Sequence, residues 1–379
     1  MKKYLKLGLA FFFVFVVLGI SYFLKVPNFK YSSPPATAGF SDDGQAPNIV
    51  SHIKTPDPVR GIYMTSWVAG DKSWREGLIK LIEKTELNSF VIDVKDYTGR
   101  ISFEVTDPDL KAIGSSENRI PDIREFLNEL HSKNIYAIAR ISVFQDPYLA
   151  KKQPELAIKR KDKVTTWKDK KGITWLDPCS QEVWDYTVKI GKEAVNVGFD
   201  ELNFDYIRFA SDGNMKDIYY SHCPANFSMS DEIKIFSAYL KEHLRDKGVP
   251  LSIDVFGMIT THTDDLNIGQ ILEKIEPSFD YICPMVYPSH YPPTFDGFKN
   301  PAEHPYEIIN EAMASSSARL IAASSTPSKL RPWLQDFDLG ANYDASMVRK
   351  EKQAVYDAGL NSWLLWDSAN KYTREALDL

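Results

Sequence analysis

The chain of 379 residues has only three cysteines, Cys179, Cys223 and Cys283, with no CxxC pair among them, so it is not a disulfide-built scaffold. Glycine is sparse, 19 residues against 22 prolines, which excludes a collagen-like chain. Seven histidines supply no HExxH and no close His/Asp cluster, so the ligand set of a zinc hydrolase is missing. There is no GxSxG elbow and no P-loop. Positive charge is not in excess: the net charge of −6 speaks against a general nucleic-acid binder. What is present, 44% hydrophobic and 25% charged residues without an internal repeat, describes an ordinary globular protein long enough to bury a core.

One long apolar run stands apart. Residues 7–24, LGLAFFFVFVVLGISYFL, contain no charge and follow Lys2, Lys3 and Lys6. Residues 1–24 are therefore expected to be a transmembrane signal anchor with its N-terminus in the cytoplasm. A cleaved signal peptide, and hence secretion, is the rival reading. Residues 25–58 hold six prolines and no apolar periodicity, as a linker would. Without Lys2, Lys3, Lys6 and Lys25, 41 of the 45 basic residues face 51 acidic ones, so the exported part carries −10.

From residue 59 to residue 379 short strand-like runs alternate with amphipathic helical ones. Eight strands are expected: Arg60–Trp67, Phe90–Asp96, Tyr136–Phe144, Glu201–Phe209, Leu251–Gly257, Tyr281–Pro288, Leu330–Phe337 and Ser362–Asp367. Helix starts are read at the capping box Ser73–Glu76, at Pro121, at Ser180 and at Ser346 or Asp344, and ends at Gly248 and Gly359. Eight βα units predict an α/β fold, a (β/α)8 TIM barrel with long βα loops. An open doubly wound sheet fits the alternation less well, because no Gly-rich first turn is present.

A barrel strand turns alternate residues inward, and chemistry belongs at its C-terminal end. In the fourth strand Leu202, Phe204 and Tyr206 form an apolar row, and Glu201, Asn203 and Asp205 form a polar one that would point inward. Leaving such groups unpaired would cost about 1–3 kcal/mol each. The row is therefore a candidate site; the plain alternative is a structural network with Arg208. In the fifth strand Ser252, Asp254 and Phe256 would face inward, opposite Leu251, Ile253 and Val255. Two inward carboxylates on adjacent strand ends supply the base or nucleophile and the acid of glycoside hydrolysis. A salt bridge is the structural alternative for Asp254. Asp93 and Lys95, Arg140 and Ser142, Met285 and Tyr287, Trp333 and Gln335, and Trp363, Trp366 and Asp367 would add a polar and aromatic lining for sugar. Each aromatic taken singly reads as core packing. His262 and His290 lie just past strands five and six, as substrate contacts rather than metal ligands. Cys283 reads as packing. The stretch 159–171, with seven basic and two acidic residues, reads as a solvated β-hairpin able to touch an anionic polymer.

The segments VRGIYMTSW (59–67), VIDVKD (91–96), WLDP (175–178), GFDELNFDYIRF (198–209), IDVFG (253–257), PMVYPSHY (284–291), RPWLQDF (331–337) and WLLWD (363–367) resemble the putative glycosyl hydrolase domain of bacterial and archaeal proteins, a distant relative of α-amylase-type barrels. The resemblance spans residues 59–375. It implies Asp205 as nucleophile and Asp254 as general acid/base, although amylase-type barrels carry Glu at the latter place. Asp336 is the nearest match to their further Asp, yet alternation puts it off the row of Trp333 and Gln335. The expectation is an anchored glycoside hydrolase outside the cytoplasm, acting on a polysaccharide or cell-wall glycan. No cofactor, metal or nucleic acid is expected. A non-catalytic carbohydrate-binding barrel is the second reading, and a metal-dependent deacetylase or hydrolase the third.

Overall fold

A computed structural model describes residues 50–379. The expected anchor and most of the linker lie outside these residues. Among the described residues no helix is long and apolar enough to cross a membrane.

All eight strands form, in the expected places. They are β1 (Arg60–Met64), β2 (Ser89–Lys95), β3 (Tyr136–Ser142), β4 (Glu201–Asp205), β5 (Leu251–Phe256), β6 (Tyr281–Met285), β7 (Trp333–Gln335) and β8 (Trp363–Trp366). They pair in parallel in sequence order, and β8 closes on β1. The expected C-terminal limits run too far. After β1 the chain turns at once into a short helix, Ser66–Gly70, whose start Thr65 caps by accepting from the Val68 amide. After β4, Tyr206 takes φ 56° and ends the pleat, so Arg208 and Phe209 leave the strand rows.

The outer ring is α1 (Lys72–Glu83), α2 (Ile123–Ser132), α3 (Gln181–Val197), α4 (Met229–Leu244), the single turn α5 (Leu272–Ile275), α6 (Pro305–Ala322) and α7 (Ala345–Asp357). The cap of α1 is Asp71, which accepts from the Trp74 amide, and not the expected Ser73 box. Ser180 precedes α3 without making a side-chain cap bond, whereas Asp344 caps α7 through the Ser346 and Met347 amides. Gly248 follows α4 and one 3-10 turn, at φ 75°.

Strand alternation divides the apolar residues between two cores. Phe90, Ile92, Leu202, Phe204, Ile253 and Val255 pack outward in the layer between strands and helices. Tyr63, Val91, Tyr136, Ile138, Cys283 and Trp333 fill the barrel interior. Trp363 belongs to the outer layer and bonds Tyr356 Oη at 3.1 Å, so it is not part of the lining. Low in the barrel, Glu201 is bound by Arg331 at 2.8 Å and by Tyr136 Oη at 3.1 Å, which satisfies the deepest acid of the β4 row away from the cleft. The end of the expected linker docks on the barrel: the Ile53 amide donates to Asp200 at 2.9 Å and Thr55 Oγ1 meets Tyr136 Oη at 2.9 Å. Cys179 and Cys223, which the sequence left unpaired, form a disulfide, and Cys283 is a buried free thiol.

Candidate active site

At the C-terminal ends of the strands the polar rows converge on one guanidinium. Register sets Arg140 beside Asn203, Ser142 beside Asp205, and Phe204 beside Ile253, so Asp205 and Asp254 are the last inward acids of neighbouring strands. Arg140 reaches three carboxylates. Its Nη1 donates to Asp93 Oδ1 at 2.6 Å, its Nη2 donates to Asp205 Oδ2, and its Nε lies 3.7 Å from Asp254 Oδ2. Asp93 also accepts from Tyr63 Oη at 2.5 Å. Burial opposes the charge on Arg140, but the surrounding acids outweigh it and hold its pKa well above the ordinary value.

The two acids of the pair have different partners. Asp205 Oδ1 accepts from the Tyr206 amide at 2.6 Å while Oδ2 takes Arg140, the donor set a carboxylate favours. Asp254 Oδ1 accepts from Asn203 Nδ2 at 2.9 Å and from Trp333 Nε1 at 2.7 Å, and Oδ2 has no donor as close. Burial and the neighbouring Asp205 push the Asp254 carboxyl up to about 8. Burial likewise raises Asp93.

Above the pair opens a cleft of about 250 Å³. Asp205, Asp254, Arg140, Arg208, Tyr287, His290, Trp333 and Trp366, all expected from the sequence, line it. Trp366 stacks on Tyr63 with centroids 3.9 Å apart and meets Trp333 edge-on at 5.6 Å, which fixes the aromatic wall. Burial holds the His290 imidazole, which faces the cleft, below its ordinary pKa.

The other expected residues stand elsewhere. Asn203 lies behind Asp254, and Asp93 lies beneath Arg140. A register irregularity between Asp93 and Lys95 takes Lys95 away from the cleft; its ammonium is buried against Asp146 at 2.7 Å. Gln335 binds Ser289 Oγ at 2.8 Å and the Phe337 carbonyl at 2.9 Å. Asp336, off the β7 row as alternation requires, accepts from the Thr373 amide and hydroxyl, and burial raises it to about 6. Asp367 accepts from the Ala369 and Lys371 amides and so holds the turn after β8. Phe256, Met285 and Tyr291, at the ends of the fifth and sixth strands, line the cleft as well, and it also uses residues not singled out: Gly257, Met258, Gln270 and Phe337. Phe337 sits at a strand end already marked, where the aromatic signal was available. Gln270 comes from the loop after β5, and no strand pattern could indicate it.

Fold and site together define a (β/α)8 barrel with a cleft at the C-terminal strand ends that Asp205 and Asp254 line. The chain belongs to the putative glycosyl hydrolase domain family, whose pattern matches residues 61–372. No curated protein matches it. Among solved structures, a hypothetical protein of Ruminiclostridium thermocellum ATCC 27405 is 36% identical, over 51% of this chain and 97% of that one, with a TM-score of 0.47. The PgaB (BpsB) glycoside hydrolase domain of Bordetella bronchiseptica is 12% identical over 85% and 99% of the two chains, at a TM-score of 0.62. A chitinase of Chromobacterium violaceum ATCC 12472 is 13% identical over 84% and 96%, at 0.50. The last two share the fold.

Proposed function

We propose that the barrel hydrolyses glycosidic bonds of a polysaccharide or cell-envelope glycan through Asp205 and Asp254. The observation that carries this reading is the unequal environment of two inward acids on neighbouring strand ends. Asp254 is held neutral through physiological pH, and its two fixed donors occupy Oδ1, which leaves the proton for Oδ2. It would give that proton to the glycosidic oxygen as the C–O bond breaks. Asp205 would attack the anomeric carbon, and water, deprotonated by Asp254, would then release the sugar. Adjacent strands lie about 4.8 Å apart, which favours the close carboxyl spacing of retention. Trp366, which stays partly exposed, and Tyr287 offer ring surface to sugar, and His290 offers hydrogen bonds.

The uncharged run 7–24 and the Cys179–Cys223 disulfide support a place outside the cytoplasm, because disulfides persist in oxidising compartments. The test is release of reducing ends from α- and β-glycans and purified cell wall by residues 49–379. Asp205→Asn and Asp254→Asn are each expected to lower turnover by about 10²-fold or more with folding intact. Glycan binding without turnover in the unmodified protein would instead establish the carbohydrate-binding barrel.

A further inference from the structure

The loop after β3 carries a concentration of positive charge that the site does not use. Residues 159–171 contribute seven basic and two acidic residues, +5 in a chain whose total is −6, so the remainder stands at −11. The segment forms the expected hairpin, with Lys159 bridging Thr166 and the Trp167 amide donating to the Ile158 carbonyl at 2.9 Å, but it is not wholly solvated. Lys159–Arg160 pairs antiparallel with Ile218–Tyr219, and Trp167 is buried with its Nε1 on the Asn214 carbonyl at 3.0 Å. Asp162 and Asp169, its two acids, are occupied in turns, accepting from the Val164 and Thr165 amides and from the Lys171 and Ile173 amides. Arg160 is taken by Asp217 at 2.6 Å, and buried Lys159 donates to the Pro154 carbonyl. Lys161, Lys163, Lys168, Lys170 and Lys171 remain exposed, and none forms an ion pair among the described residues. Five unneutralised ammonium groups are thus carried on a folded arm.

The arm is continuous with the cleft. Trp175 at its base donates Nε1 to Asp169 at 3.1 Å, and its ring lies 4.8 Å from the Arg208 guanidinium and 5.8 Å from the Tyr206 ring, both in the cleft wall. Arg208 forms no ion pair among the described residues. Its polar contacts are the Phe209 carbonyl at 3.2 Å and Ser211 Oγ at 3.0 Å, both neutral. Burial lowers its pKa, and the acids around it, Asp205, Asp212 and Asp169, raise it only in part and stand beyond ion-pair distance, so an anionic group brought against the guanidinium would be stabilised.

We propose that Arg208 and the lysines of the arm form one cationic track for an anionic glycan, a polymer bearing carboxylate or phosphodiester groups along its length. This rests on the glycan reading of the cleft and names the substrate class. The test titrates the full chain and the variant K161Q/K163Q/K168Q/K170Q/K171Q with polygalacturonate, poly(glycerol phosphate), neutral dextran and single-stranded DNA. At low salt the variant is expected to bind the preferred polyanion about 10-fold or more weakly, with an unchanged melting temperature. For the unmodified chain, five contacts predict roughly a 100-fold loss of affinity between about 50 and about 200 mM salt. Preference for polygalacturonate would assign carboxylates, and preference for poly(glycerol phosphate) would assign phosphodiesters. Equal polyanion binding by the two proteins, equal binding of dextran, or tighter binding of DNA than of either glycan probe would overturn the proposal. Failure of the hydrolase reading shows separately, as turnover indifferent to Asp205→Asn and Asp254→Asn.

Discussion

At the scale of single residues, Arg140 decides the site. Its guanidinium holds Asp93 and Asp205 and stands near Asp254, all buried. Replacing it with Met leaves Asp93 and Asp205 without their donor, and breaking a buried pair in this way costs about 3–5 kcal/mol. Urea unfolding of Arg140→Met is expected to show that loss; a loss below about 1 kcal/mol would mean that the acids are satisfied without it. Asp254 gives a pH signature. Its carboxyl keeps a proton up to about 8 in the folded protein, against 3.8 ordinarily. Between those values the folded state binds more protons than the unfolded one, so this residue makes stability fall as pH rises from about 4 to about 8. Melting curves at about pH 5 and about pH 8 should show a smaller drop in Asp254→Asn than in the unmodified protein. Activity should decline as pH rises through about 8, where the general acid is lost.

At the scale of elements, alternation made the inward rows readable. Asp205, Asp254, Asn203 and Trp333 are where a period of two puts them, because buried strands leave polar side chains only one direction that offers partners. The same logic put Asp336 off the row, where it is found. It failed for Lys95, since an irregularity between β2 and β3 breaks the period and Asp146, from a separate loop, draws in the ammonium. Strand ends were overestimated because apolar and aromatic residues continue into the loops that build the cleft wall. The exit of β5 is tight: a Cβ on Gly257 would lie 2.3 Å from the Met285 carbonyl oxygen. Gly257→Ala is expected to push β5 and β6 apart, costing about 1–3 kcal/mol in urea unfolding and lowering turnover.

At the scale of the whole molecule, the disulfide ties the base of the basic arm to the loop after β4, across 44 positions of sequence. Both loops contribute to the cleft or to the track beside it. Cys179→Ser/Cys223→Ser is expected to lose about 2–4 kcal/mol of stability in calorimetry, and dithiothreitol should produce the same shift in the unmodified protein and none in the variant. The sequence by itself determined the eight strands, the barrel and the inward acids of β4 and β5, because each follows from local periodicity and the cost of burying unpaired polar groups. Only the tertiary structure decided which acids share Arg140, which cysteines pair, how residues 51–58 dock, and that a charged run is a folded arm beside the cleft. Those depend on side chains brought together from distant positions, and neither spacing nor composition specifies such meetings.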